Sequence, residues 1–316
     1  MRARIRDFVI TRQNWIFSVV GYDLGGEQLQ CFLRYVPDAQ GDRKSDRGRY
    51  RKLDFHDAYE FLRRHRPEYV KDVHAVPLED VKELLRPEEQ LPRIAMQNEQ
   101  VSVIYELLAQ HIPRGQIGIT GSYLCGLNTA TSDLDFVIYG RRHFDNARAA
   151  VQAATADGRL TAITDTLWRR IYEKRRPELS YETFVAHELR KQHRGALDNT
   201  YFDILYVRDA DELRQLDPRN YERGEKLGYQ TITARVKDAR FSFDSPAIYE
   251  LEHFEIARIL SFTHTYAGQA VAGELVEARG VLERTATETR LVVGTTREAR
   301  GEWIRSLAIG KQLVRS

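Results

Sequence analysis

Two carboxylates one residue apart on an apolar strand, preceded by a glycine–serine turn, constrain this chain more than any other feature. The stretch runs Ile119-Thr120-Gly121-Ser122 and, after a short interval, Ser132-Asp133-Leu134-Asp135-Phe136-Val137-Ile138-Tyr139. Alternate residues of a strand project from one face, so Asp133 and Asp135 point together. Carboxylates held that close repel unless a cation lies between them, and oxygen-only surroundings suit a hard divalent ion such as Mg²⁺. Backbone N–H groups after Gly121 are available to a phosphate if a helix begins there. A metal beside a phosphate points to chemistry on a nucleoside triphosphate.

The length of 316 residues allows two or three domains, and 42% hydrophobic with 30% charged residues is ordinary for a soluble globular chain. A formal net charge of +2 carries no global nucleic-acid signature, although basic residues cluster locally and Arg greatly outnumbers Lys. No window approaches the roughly 20 apolar residues of a membrane helix. The charged start, Met1 to Arg6, runs into a strand-like segment without a signal-peptide core. Cys31 and Cys125 stand far apart and form neither a disulfide framework nor a zinc pattern. Cys125 reads as a small packed side chain. The expected compartment is the cytoplasm. Scarce Cys and Met beside abundant Arg and Glu is compatible with a thermophile.

Aromatic and β-branched runs at 8–10, 15–22 and 31–36 predict strands, with a loop over 37–48 and a further strand at 50–53. Helices are expected at 54–64 and 78–85, and Pro87 and Pro92 mark a linker. A helix follows from Gln97, with Val101, Ile104, Tyr105, Leu107 and Leu108 at helical spacing, and ends before Pro113. A strand at 116–120 leads into the Gly-Ser turn and the aspartate strand. Helices at 144–154, 165–174 and 181–193 precede a strand at 201–207. Beyond Tyr221, short mixed runs at 231–236, 240–243, 273–283 and 290–294 are punctuated by Gly268, Gly273, Gly280, Gly294 and Gly301. They suggest a small β-barrel or sandwich, with a helical element over 303–313. The expected class is α+β multidomain: an N-terminal α+β domain over 1–92, a central α/β catalytic domain over 93–215 and a β-rich, barrel-like domain over 216–316.

Asp203 lies on the later apolar strand among Phe202, Ile204 and Leu205, where a charge is costly to bury unless paired or metal-bound. If that strand neighbours the first, three carboxylates converge. Such a set can hold two divalent ions, one on the triphosphate and one activating an acceptor hydroxyl, with Asp203 placed to help deprotonate it. The alternative is an Asp that caps a turn or meets an Arg. At these residues the chain resembles the DNA polymerase β-like nucleotidyltransferase superfamily, through Gly121-Ser122, Asp133-Leu134-Asp135 and the later Asp203. The likeness extends over about residues 97–208, and the interval between Ser122 and Asp133 has the family's length. It implies that Gly121 and Ser122 bind the triphosphate. It also implies that Asp133 and Asp135 hold two ions, Mg²⁺ or Mn²⁺, and that Asp203 completes the catalytic-metal site. The whole chain also resembles uncharacterised archaeal nucleotidyltransferase-domain proteins, which supplies no substrate.

Other groups carry two readings each. Tyr123 and Asn128 fit either nucleotide contact or packing. The runs Arg169, Arg170, Lys174, Arg175, Arg176 and Arg190, Lys191, His193, Arg194 fit a phosphate clamp or a solvated helix face. His187 and His193 read as surface residues, and His264 sits in an unusual polar-aromatic segment, Phe262 to Tyr266. Arg297, Arg300 and Trp303 suit a nucleic-acid surface or a domain interface. The expected function is Mg²⁺-dependent transfer of an NMP from an NTP to an acceptor hydroxyl with release of pyrophosphate. A nucleic acid is the expected acceptor, RNA ahead of DNA by analogy with small RNA-binding barrels, and no membrane partner is expected. The competing readings are a non-catalytic nucleic-acid- or nucleotide-binding protein on the same scaffold and a toxin–antitoxin type modifier of a protein or tRNA.

Overall fold

The computed structural model describes residues 3–198, 200–296 and 299–309. They fall into two compact units, Met1–Thr161 with Arg194–Val207 and Ala162–His193 with Arg208–Ser316.

The first unit holds two sheets. One comprises β1 (Phe8–Thr11), β2 (Ile16–Val19), β3 (Gln28–Pro37), β4 (Arg43–Ser45), β5 (Gly48–Lys52), β6 (His74–Pro77) and β7 (Val81–Leu85). Its order is β4-β5-β3-β2-β1-β7, with β6 added to β3. Both faces are covered. Val9, Phe17 and Leu33 pack with Ala58 and Leu62 of helix α1 (Phe55–His65). Their alternates Phe8, Ile10, Ile16 and Tyr35 pack with Leu124, Cys125 and Leu127, just after the glycine turn. The apolar alternation of β1 thus serves two cores at once.

The second sheet follows α2 (Pro87–Gln97) and α3 (Glu99–Ala109). It contains β8 (Ile117–Ile119), β9 (Leu134–Tyr139), β10 (Arg194–Leu197) and β11 (Thr200–Val207), in the order β10-β11-β9-β8. A one-turn helix α4 (Gly121–Leu124) lies between β8 and β9, and α5 (Arg141–Ala156) follows β9. The β9–β11 pair is parallel, and both outer pairs are antiparallel.

Three expectations fail here. The expected loop over 37–48 contains strand β4, which a tight reversal pairs antiparallel with β5 in the register Arg43↔Tyr50 and Ser45↔Gly48. Residues 81–85 form strand β7 after a single 3-10 turn, because pairing with β1 in the register Phe8↔Leu85 and Ile10↔Glu83 overrides an ambiguous apolar spacing. The expected linker at Pro87 and Pro92 is helix α2. Pro87 occupies a first-turn position that needs no N–H donor, and burial of Leu91, Ile94 and Ala95 offsets the bond lost at Pro92.

The second unit carries α6 (Asp165–Arg175), α7 (Tyr181–Lys191), α8 (Ala210–Arg214) and six strands. These are β12 (Glu225–Asp238), β13 (Ala247–Glu252), β14 (Ile256–Ser261), β15 (Leu275–Arg284), β16 (Thr289–Val293) and β17 (Trp303–Ser306). The path β12-β13-β14-β16-β15 returns to β12, so five strands close a ring, and β17 adds to β15. This is the β-rich character expected of the C-terminal third. The expected strand at 240–243 is a turn, closed by Ser242 N–H to Ala239 O at 3.0 Å and Asp244 N–H to Phe241 O at 3.1 Å. The expected helix at 303–313 begins instead as β17, whose alternating burial has period two; residues 307–309 are helical, and residues 310–313 lie outside the described residues.

His187 and His193 are buried, which corrects their assignment to the surface. His187 Nδ1 lies 2.7 Å from Thr183 O, while its Nε2 accepts the Ser306 N–H at 3.0 Å. The imidazole is therefore neutral, with its proton on Nδ1. Gln269 Nε2 donates to Ile304 O at 2.7 Å on the same strand. Among the described residues no helix is long and apolar enough to cross a membrane.

This packing has two measurable consequences for stability. A Cβ at Gly118 would lie 2.5 Å from Pro87 Cβ and 2.8 Å from Glu88 N, where backbone has little room to yield. Gly118→Ala is expected to lower unfolding free energy by about 1–3 kcal/mol, read as a reduced urea midpoint. Burial lowers the pKa of His187 from 6.5 to about 4. The unfolded chain takes up this proton first, so the contribution is complete above 6.5 and is lost as pH falls towards 4. Paired urea titrations of wild type and His187→Gln should show a flatter pH dependence for the variant across that window, and parallel curves would refute the assignment.

Candidate active site

Strand β8 delivers the chain to Thr120, whose N–H donates to Asp135 O at 2.9 Å and whose hydroxyl donates to Arg6 O at 2.6 Å. Gly121 follows with φ of +69°, in the left-handed region that disfavours a side chain. A Cβ there would also sit 2.9 Å from Asp135 Oδ2. Conformation and space both require glycine, and the turn lies directly against the carboxylate. Helix α4 closes with Cys125 N–H to Gly121 O at 3.3 Å, and Leu127 N–H donates to Ser122 O at 2.8 Å. Burial of Leu124, Cys125 and Leu127 against the first sheet anchors this short segment. Cys125 is the packed side chain expected, with its thiol pushed far up by burial.

The loop into β9 is pinned by Thr129 and Ser132, which exchange a backbone-to-hydroxyl bond of 2.9 Å and a backbone bond of 3.0 Å. Arg43 reaches the same loop, donating to Leu127 O at 3.4 Å and Thr129 Oγ1 at 3.3 Å. Asp133 is the residue immediately before β9. Burial alternates across Asp133, Leu134 and Asp135, half-buried, buried, half-buried, as in an extended segment.

Strand β11 lies parallel to β9 with Asp203 paired directly with Asp135 and Phe202 with Leu134. Neighbouring strands stand about 4.8 Å apart, so the two carboxylates leave adjacent strands on one face. Asp203 is only 5% exposed. Its Oδ1 accepts the Tyr201 hydroxyl at 2.7 Å and lies 3.3 Å from Arg194 Nε, while Arg194 Nη1 donates to Tyr201 Oη at 2.7 Å. The alternation Tyr201-Phe202-Asp203 and the cross-strand register Arg194↔Asp203 produce this arrangement. The Arg partner is one of the two readings that the sequence left open for Asp203. Sequence reasoning passes over Tyr201, although its i, i+2 spacing from Asp203 is visible there.

Three oxygen-donor side chains of this kind suit a hard divalent cation. They are not drawn into a cage: among the described residues no three His, Cys, Asp or Glu side chains are gathered to hold a metal ion. Asp203 instead balances its charge against Arg194.

The second basic run is neither a clamp nor a solvated face. Arg190 pairs with Glu274 at 2.7 Å and donates to Gln269 O. Lys191, 1% exposed, meets Glu188 at 2.6 Å and Thr265 O at 3.1 Å. In the first run, Arg169 pairs with Asp165 at 2.8 Å on an exposed helix surface. His193 and His264 face each other edge-on at 5.9 Å. Tyr123 is buried, which favours packing. Arg297 lies outside the described residues.

A nucleotidyltransferase-domain family model matches residues 101–191. That stretch contains Gly121, Ser122, Asp133 and Asp135 and stops before Asp203. The chain is also 37% identical over 348 aligned residues to "Uncharacterized protein MJ1086" of Methanocaldococcus jannaschii, covering 96% of this chain and 99% of the relative. No solved structure matches. With the glycine turn and the aspartate pair inside the matched stretch, and the likeness to the archaeal relative spanning both chains, the protein belongs to the DNA polymerase β-like nucleotidyltransferase-domain family.

Proposed function

We propose that the protein moves an NMP from an NTP to an acceptor hydroxyl at Asp133, Asp135 and Asp203. The observation that carries this reading is the parallel register of β9 and β11, which sets Asp203 beside Asp135 while Gly121 abuts the Asp135 carboxylate. The reaction forms a bond between the acceptor oxygen and the α-phosphorus and breaks the bond from that phosphorus to the bridging oxygen. Pyrophosphate leaves with the electron pair, and the acceptor proton passes towards Asp203.

Asp133 and Asp135 would hold both ions of a Mg²⁺ or Mn²⁺ pair, with Asp203 completing one of the two sites. Such ions, when bound, neutralise triphosphate charge and make the acceptor hydroxyl more acidic. Gly121 and Ser122 would present backbone N–H groups to the triphosphate, and no side chain at 121 obstructs the approach. Arg194 supplies the counter-charge that makes burial of Asp203 tolerable, and the Tyr201 hydroxyl fixes its orientation. A nucleic acid, RNA first, is the proposed acceptor, supported by the β-rich second unit. A second reading, a non-catalytic nucleotide-binding protein, draws on the Arg194–Asp203 pair, which already neutralises the third carboxylate.

Incubation with each labelled NTP, with Mg²⁺ or Mn²⁺ and with or without total RNA, tests the proposal by the appearance of label in RNA. Asp133→Asn with Asp135→Asn is expected to reduce transfer by roughly three orders of magnitude while leaving the unfolding midpoint intact. Transfer that survives this change would refute the metal assignment. Asp203→Asn should be nearly as damaging, whereas full activity would make Asp203 a structural partner of Arg194. Gly121→Ala should lower activity, because its Cβ meets the Asp135 carboxylate, and should also cost about 1–2 kcal/mol of stability, because the position holds a left-handed φ.

A further inference from the structure

Outside this site, one face of the strand ring is built unlike the rest of the surface. In β12 the side chains of Ile232, Ala234 and Val236 are buried, as are those of Val276 and Ala278 in β15 and Ile304 in β17. Their alternates project outward on three neighbouring strands. Register places Thr231, Arg279 and Trp303 in one row and Thr233, Glu277 and Arg305 in the next.

The outward set is aromatic and cationic. The Arg279 guanidinium lies 4.8 Å from the Tyr229 ring centroid and 5.7 Å from that of Trp303. Tyr229 is 54% exposed. Arg235 and Lys237 continue the face along β12, and Arg305 stands beside Glu277 on β17. Four cations (Arg235, Lys237, Arg279 and Arg305) therefore share this face with two carboxylates, Glu277 and, across from Arg235 on β13, Glu252, in a chain whose overall charge is only +2. Glu277 bonds Arg305 at 2.8 Å, and Glu252 approaches Arg235 at 3.8 Å from β13. The Arg235–Glu252 pair is solvent-exposed, and such pairs exchange for other anions at little cost, whereas Glu277 is half-buried and also accepts the Trp303 Nε1–H at 3.4 Å.

Flat rings and guanidinium planes on adjacent strands match the faces of unpaired bases, and the surrounding cations match phosphates. A duplex hides its base faces, so the matching ligand is single-stranded. We propose that the outer face of β12, β15 and β17 binds single-stranded nucleic acid without sequence preference. Bases stack on Tyr229 and Trp303, and Arg235, Lys237, Arg279 and Arg305 meet the backbone. The surface gives the nucleic-acid acceptor a place to bind, and in that respect it rests on the function proposed above.

Fluorescence anisotropy of the full chain tests this without NTP or divalent ion, using labelled oligo-U and oligo-dT of about 15 nucleotides, the scale such surfaces occupy. Wild type and the Asp133→Asn, Asp135→Asn variant should bind equally. Tyr229→Ala should weaken binding about tenfold. Arg235→Ala with Arg305→Ala should reduce the slope of log K against log salt by about 1.4, roughly 0.7 for each phosphate no longer neutralised. All three positions are exposed, and an unchanged unfolding midpoint separates lost binding from lost fold. Oligo-U and oligo-dT distinguish RNA from DNA as the ligand of the same surface. Wild type that binds neither oligonucleotide, or variants that bind as tightly as wild type, would overturn the proposal. NMP transfer to RNA with unaltered binding in the variants would remove this surface and leave the catalytic reading standing. Variant-sensitive binding without any transfer would do the reverse.

Discussion

Strand β11 is buried from Tyr201 to Val207, and Asp203 is the one charged residue in that run. Several kcal/mol oppose an ion in such a place unless a countercharge stands close with its own hydrogen bonds satisfied. Arg194 provides it, and the Tyr201 hydroxyl joins the two. The rest of the small sheet follows from this requirement. Strand β10 must lie antiparallel beside β11 to bring Arg194 opposite Asp203, and β9 must lie parallel on its other side to bring Asp135 level with it. A cation entering beside Asp203 would compete with an arginine already in place.

The first sheet takes part in this geometry. Its second face packs on Leu124, Cys125 and Leu127, its flanking segment accepts the Thr120 hydroxyl at Arg6 O, and Arg43 holds the loop that leads to Asp133. A four-residue helix is too short to hold its own conformation. The glycine turn therefore borrows its rigidity from strands more than a hundred residues earlier in the chain, such as β1.

Much of the site was legible because it is local. The Gly121-Ser122 turn and the Asp133–Asp135 spacing need only strand alternation to be recognised, and Asp203 was marked by a charge among apolar neighbours. What was hidden depends on tertiary partners. Lys191 and His187 lie on the inward side of α7, a fact that a run of polar residues disguises. Residues 81–85 suit a helix or a strand equally until β1 decides between them. Residues 240–243 have strand-like composition, yet they form a turn because β12 and β13 must reverse there to close the ring. The two prolines of α2 signalled a break because their cost is local while the burial that offsets it is not.

Among the described residues β17 pairs with β15 alone, and its other side is finished in an unusual way. Ile304 O is taken by the Gln269 side chain and Ser306 N–H by the His187 ring, both buried. An open strand edge is a template on which a second chain can add, and proteins commonly blunt it with charge, proline or a bulge. Here two side chains occupy the backbone groups themselves. A strand approaching β17 finds these two groups already bonded, which makes that edge a poorer template for a second chain.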